Sequence, residues 1–171
     1  MCFIRAVLVA GTGRICALLV TLGVLAQGCG RNIGDECAAN VDCATDGRRQ
    51  CIDATHGKNG YCTIEGCDAT NCPEDSTCVR FYPVEFATRS CDPAEEAKGG
   101  KSGCWSSEHC TSDALCVPRA NERRLCMRTC SSGQDCRQGL ECRPTGIGGA
   151  ERIPTEQDPH PAPIHFCFFA S

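Results

Sequence analysis

The amino-acid sequence predicts a small disulfide-rich fold of short β-hairpins and loops, with little helix and no large hydrophobic core. Three observations carry that prediction. The 171 residues include 19 cysteines, a density that belongs to crosslinked scaffolds in oxidising compartments. Only 22 of the 142 residues numbered 30–171 are Val, Ile, Leu, Met, Phe, Tyr or Trp. That is too few for one large core, so crosslinks must supply part of the stability. Nor does any stretch of residues 30–171 hold helical periodicity over three turns, whereas apolar runs around Gly, Asn or Pro recur.

Export is written into the first 28 residues. Arg5 and Arg14 precede an apolar run at residues 15–26, and small residues follow. A basic start, a short apolar stretch and a small-residue exit make a secretory signal peptide. The run is shorter than the ~20 residues a membrane-spanning helix needs. The net charge is −4, and the signal carries no acid, which leaves the exported part at −6. No basic patch with interleaved aromatics is present, so nucleic acid is not an expected partner.

Sixteen of the remaining cysteines sort into repeats. Cys37, Cys43, Cys51, Cys62, Cys67, Cys72, Cys78 and Cys91 form one unit, residues 37–91. Cys104, Cys110, Cys116, Cys126, Cys130, Cys136, Cys142 and Cys167 form a second, residues 104–167. Seven of the eight offsets between corresponding cysteines lie between 63 and 67, the mark of an internal duplication. Each unit divides again, into four-cysteine modules at 37–62, 67–91, 104–126 and 130–167. Residue types that suit a turn precede the second cysteine of the first, second and fourth modules, Asp42, Asn71 and Asp135, and His109 does so in the third.

Between the third and fourth cysteines the pattern predicts a hairpin. It starts at Ile52, Val79 or Val117, ends at Tyr61, Leu125 or Phe166, and has Gly, Asn or Pro between. Spacing leaves three pairings open in every module. The crossed one, first to third and second to fourth, is favoured because it closes longer interlocked loops and ties the hairpin. No crosslink is expected between the two units. Residues 92–103, charged and Gly-rich, read as the linker between them, and residues 29–36 as a lipidated cysteine with a short tether. Residues 144–163 are a Pro- and Gly-rich excursion, and a loop of that length is either functional or disordered.

Residues 25–29, Leu-Ala-Gln-Gly-Cys, resemble the lipobox of bacterial lipoproteins, with Ala26 where that family favours leucine. The resemblance implies cleavage before Cys29 and acylation of its thiol. Parity agrees, because 17 cysteines follow the signal and lipid on Cys29 leaves an even 16 for disulfides. Ordinary cleavage with Cys29 left as a free thiol is the competing reading. The module spacing is similar to Cys-rich modules of secreted bacterial repeat proteins, and loosely similar to the paired-cystine modules of Dickkopf-type domains.

Candidate sites are few. No two cysteines are separated by just two residues, as in a thiol oxidoreductase or the tightest zinc knuckle, and the spacings Cys126 to Cys130 and Cys67 to Cys72 are near misses, so behind an export signal neither metal nor cofactor is expected. His160, His165 and Cys167 lie close in sequence in or beside a Pro-rich loop, where solvated histidines are the plainer reading. Serine, histidine and acid do not cluster in a nucleophile motif, so no catalytic residues are assigned. Phe81, Tyr82 and Phe86, in a small module with little interior, are the candidate partner-binding residues. The resulting expectation is a non-enzymatic lipoprotein, membrane-anchored through Cys29 on the extracytoplasmic side of the bacterial envelope, at the outer membrane or cell surface. It would act as an interaction or structural module, with a protein as possible partner. A secreted protease inhibitor and a small extracytoplasmic hydrolase are the alternatives.

Overall fold

A computed structural model describes residues 30–53, 59–97, 101, 103–159 and 161–170. Lipidation at Cys29, the signal peptide, His56 and His160 lie outside the described residues. Within them the protein is small, β-rich and disulfide-stapled, with two short α-helices and eight disulfides.

The first module has the expected crossed pattern, Cys37–Cys51 and Cys43–Cys62. Strand β1 (Glu36–Cys37) leads to helix α1 (Asn40–Cys43), then to β2 (Gln50–Ile52) and β3 (Gly60–Thr63). The sheet runs β1-β3-β2, and Cys51 stands opposite Cys62 across the hairpin. The residues leading into it are not a loose tether. Ile33 is buried, and the Gly34 amide donates to the Cys62 carbonyl at 2.9 Å.

The second and third modules depart from expectation. Their first and third cysteines do pair, as Cys67–Cys78 and Cys104–Cys116. Their second and fourth cysteines are exchanged, as Cys72–Cys126 and Cys91–Cys110. Two disulfides therefore cross between the eight-cysteine units, where none was expected. The hairpins are exchanged with them. Strand β4 (Ser76–Phe81) is followed by β5 (Arg89–Ser90), helix α2 (Pro93–Ala97), β6 (Glu108–Cys110), β7 (Leu115–Pro118) and β8 (Arg123–Arg128). β4 pairs with β8, Cys78 facing Cys126, whereas β7 lies between β5 and β6. The third module is thus inserted into the hairpin of the second, with its fourth-cysteine strand placed first. Residues 92–103, expected to be a linker, contain α2, which packs on β6.

Burial accounts for the exchange. Side chains two apart on a strand share a face, and β4 sets Val79 and Phe81 on the inner one. Val79 stands opposite Leu125, and both are buried. Had each module closed its own hairpin, these two would fall into separate modules, each too small to cover them. The bridge over 54 residues also removes about 1 kcal/mol more loop freedom from the unfolded chain than one over 19 residues.

The fourth module pairs as expected, Cys130–Cys142 and Cys136–Cys167. Strand β9 (Leu140–Pro144) faces β11 (His165–Phe169), with Cys142 opposite Cys167. Its long excursion is built into the fold. It contains β10 (Ala150–Arg152), which joins β4 to make the sheet β10-β4-β8. Gly149 has φ +71° there, and a Cβ would fall 2.1 Å from the Tyr82 carbonyl oxygen, so only glycine fits this junction.

One modest core joins the parts. Tyr61 of β3, Val79 of β4, Leu125 and Met127 of β8 and Phe166 of β11 are all buried in it. The Tyr61 hydroxyl accepts from the Arg128 amide at 2.8 Å, and burial pushes its pKa up to about 12.

Candidate functional site

The site begins with a turn that three modules share and one alters. After the first cysteine the chain turns back, leaving amides that need an acceptor. The carboxylate of Asp42 accepts from the Ala38 and Ala39 amides, and that of Asp135 from Ser131 and Ser132. These bonds hold both carboxyls below the usual range. In the second module Asp68 and Asn71 cap each other's amides. In the third module the acceptor is Glu108, one position earlier, which takes the Trp105 amide at 2.9 Å. His109, at the position the others use for the cap, is thereby released to point elsewhere.

It points into a polar cluster between the inserted module and the rest of the protein. Nε2 of His109 lies 2.9 Å from Oε2 of Glu151 on β10, and Nδ1 lies 3.3 Å from Oε1 of Glu96 on α2. Its ring stacks on Tyr82 with centroids 4.7 Å apart. Arg80 of β4 donates to Glu151 at 2.7 Å, as does the Ser112 amide. Arg119 donates to Glu96 at 2.7 Å. Burial alone would raise the pKa of Glu151, but the His109 hydrogen bond and the Arg80 charge outweigh it and hold the group at about 2. A carboxylate so placed stays ionised at all ordinary pH.

A cleft of about 510 Å³ opens over this cluster. Glu96, His109 and Arg119 form one wall, and Arg152, Pro154 and Pro161 of the long excursion the other. A serine nucleophile needs histidine between itself and the acid. Here Glu151 is in the middle, taking Ser112 Oγ on one oxygen and His109 on the other, so His109 does not reach the hydroxyl.

The aromatic trio expected to bind a partner is divided by the structure. Phe81 is half-buried and packs against the core, stacked on Phe168 at 5.3 Å and edge-on to Phe166 at 5.8 Å. Tyr82 is 2 % exposed, and its hydroxyl donates to Glu122. Tyr82 presents no face for contact and Phe81 only part of one, because the exchange of strands supplies the interior that an isolated module would lack. Phe86 is exposed, at 55 %. Sequence reasoning missed Trp105, which is exposed and carries the Arg89 guanidinium 3.7 Å over its ring. It also missed the His109 cluster. The available signal was the pair Glu108-His109, an acid just ahead of a histidine at the capping position.

Cysteine sulfurs do cluster, three within 4.8 Å of one another at Cys37, Cys43 and Cys51, at Cys67, Cys72 and Cys78, at Cys91, Cys104 and Cys110, and at Cys130, Cys136 and Cys142. Each belongs to a disulfide, and so offers no thiolate to a metal. His165 lies exposed on β11, its carbonyl accepting from the Cys130 amide. Comparison with family models, curated proteins and solved structures finds no match in any of the three.

Proposed function

We propose that this chain is an exported lipoprotein that loses residues 1–28, carries lipid on Cys29 and holds a rigid, non-enzymatic interaction module at the outer face of a bacterial membrane. The observation that supports it is the cysteine pairing. All 16 cysteines numbered 37–167 are used by one another, so none remains for Cys29. A thiol directly after an export signal in an oxidising compartment then needs another fate, and the lipobox-like residues 25–29 supply one. The binding surface is the cleft over His109, Glu96 and Arg119. Its walls are crosslinked and proline-stiffened, so a protein partner would lose little conformational freedom of this chain on docking.

Mass spectrometry of the mature N-terminus tests the anchor. Diacylglyceryl on Cys29 is the expected result, and an unmodified thiol on a soluble product overturns it. Capture from envelope fractions on the wild-type protein and on an Arg119→Glu, Arg152→Glu variant tests the surface. A partner retained equally by both does not use the cleft.

A further inference from the structure

Beyond attachment by lipid, the structure orients the protein on the bilayer. Gly30, the residue after Cys29, is fastened to the first module with no slack. A Cβ placed on it would lie 2.9 Å from the Cys43 carbonyl oxygen and 3.4 Å from Nη1 of Arg49. The next amide, of Arg31, donates to that same Cys43 carbonyl at 2.9 Å. The Arg49 guanidinium in turn donates to the Arg31 carbonyl. One residue spans at most about 3.6 Å, so acyl chains on Cys29 draw this particular face down to the headgroups.

That face is shaped and charged to meet them. An open groove of about 740 Å³ begins at Gly30 and is lined by Arg48, Arg49, Asn32 and Asn71. Asp46 is the one carboxylate among its described lining residues, and Arg48 binds it at 2.6 Å while its own side chain stays 85 % exposed. Guanidinium groups suit phosphate oxygens, which they can take with two parallel N–H donors. We infer that Arg48 and Arg49 seat this groove on phospholipid phosphates, so that lipid at Cys29 attaches the protein and the arginines fix which way it stands. The inference rests on the proposed acylation of Cys29.

The test uses the mature protein reconstituted into vesicles of phosphatidylcholine, with or without about a third phosphatidylglycerol, and reads flotation and amide hydrogen exchange. Wild-type protein should float with both vesicles. Its amides at residues 44–49 should exchange more slowly on the anionic vesicles, by about fivefold per arginine engaged. Arg48→Gln, Arg49→Gln should float equally and lose that protection, and Arg48→Gln alone should lose part of it. The single variant guards against a folding defect, because the Arg48 side chain is largely in solvent. Equal exchange in wild type and variants, or no slowing in wild type, overturns the seating while leaving the anchor intact. Protein that floats with neither vesicle overturns the anchor, and the seating falls with it.

Discussion

Cys78 stands directly opposite Cys126 in the ladder between β4 and β8, yet the two are not bonded to each other. Cys78 pairs with Cys67, and Cys126 with Cys72. The same relation holds for Cys51 with Cys62 and for Cys142 with Cys167, so each hairpin is flanked by two bridges rather than crossed by one. What distinguishes the middle of the chain is that the facing cysteine comes from another module.

Cleavage next to exposed Lys101 should therefore leave one covalent particle. Cys72–Cys126 and Cys91–Cys110 both span the cut. Without reductant the cut protein should keep its mass plus one water, and with reductant it should separate in two. Separation without reductant would mean that the modules close on themselves. Peptide mapping of the uncut protein gives the same answer independently, through a disulfide-linked pair of peptides carrying Cys72 and Cys126.

Acid should loosen the junction through Glu151. Its carboxyl titrates at about 2 in the folded protein against an ordinary 4.5. A lowered folded-state pKa gives stability that is fully present above the unfolded value and lost as pH falls towards the folded one. The contribution, about 3 kcal/mol, should hold above pH 5 and decline between 4.5 and 2. Denaturant unfolding with the disulfides intact, followed across that window, checks it. Glu151→Gln should be less stable at pH 7 and show a flatter decline. An unchanged acid profile in that variant would place the acid sensitivity elsewhere.

The three aromatics first grouped as one surface should behave differently. Phe81→Ser should cost about 3 kcal/mol, because it leaves a hole among Phe166 and Phe168. Tyr82→Ser should cost a similar amount, through the lost stack on His109 and the lost bond to Glu122. Phe86→Ser, on an exposed side chain, should shift stability by no more than about 0.5 kcal/mol. Unfolding curves of the three single variants decide the matter, and equal small effects would contradict the burial described above.

The disulfide-rich class and the turns at Asp42 and Asp135 were legible in the sequence, because both rest on local features, and the first-to-third pairs that loop length favoured are the ones formed, over 11 to 14 residues. Cysteine spacing and the hydrogen-bonding reach of an aspartate are local properties. The exchange between the middle modules was not legible. Cys72, Cys91, Cys110 and Cys126 have spacings compatible with either arrangement, and the choice falls to nonlocal burial of Val79 against Leu125. Phe81 and Tyr82 were misplaced for the same reason, since counting aromatics in a module presumes that the module is alone. The His109 cluster was hidden more deeply. It gathers Arg80, Glu96, His109, Arg119 and Glu151 from separate elements, and no pattern along the chain brings them together before the sheet does.

The Cys72–Cys126 bridge also decides how the molecule would respond to being pulled. Tension applied between Gly30 and Ala170 would follow the shortest covalent route, through Cys43–Cys62, then Cys72–Cys126, then Cys136–Cys167. At about 3.5 Å per residue, that route can lengthen to only about a quarter of the free contour. Residues 73–125 and 137–166 hang from it as slack side loops. Both walls of the cleft lie in those loops, so neither wall would itself be drawn out in a protein held by one end and tugged by the other.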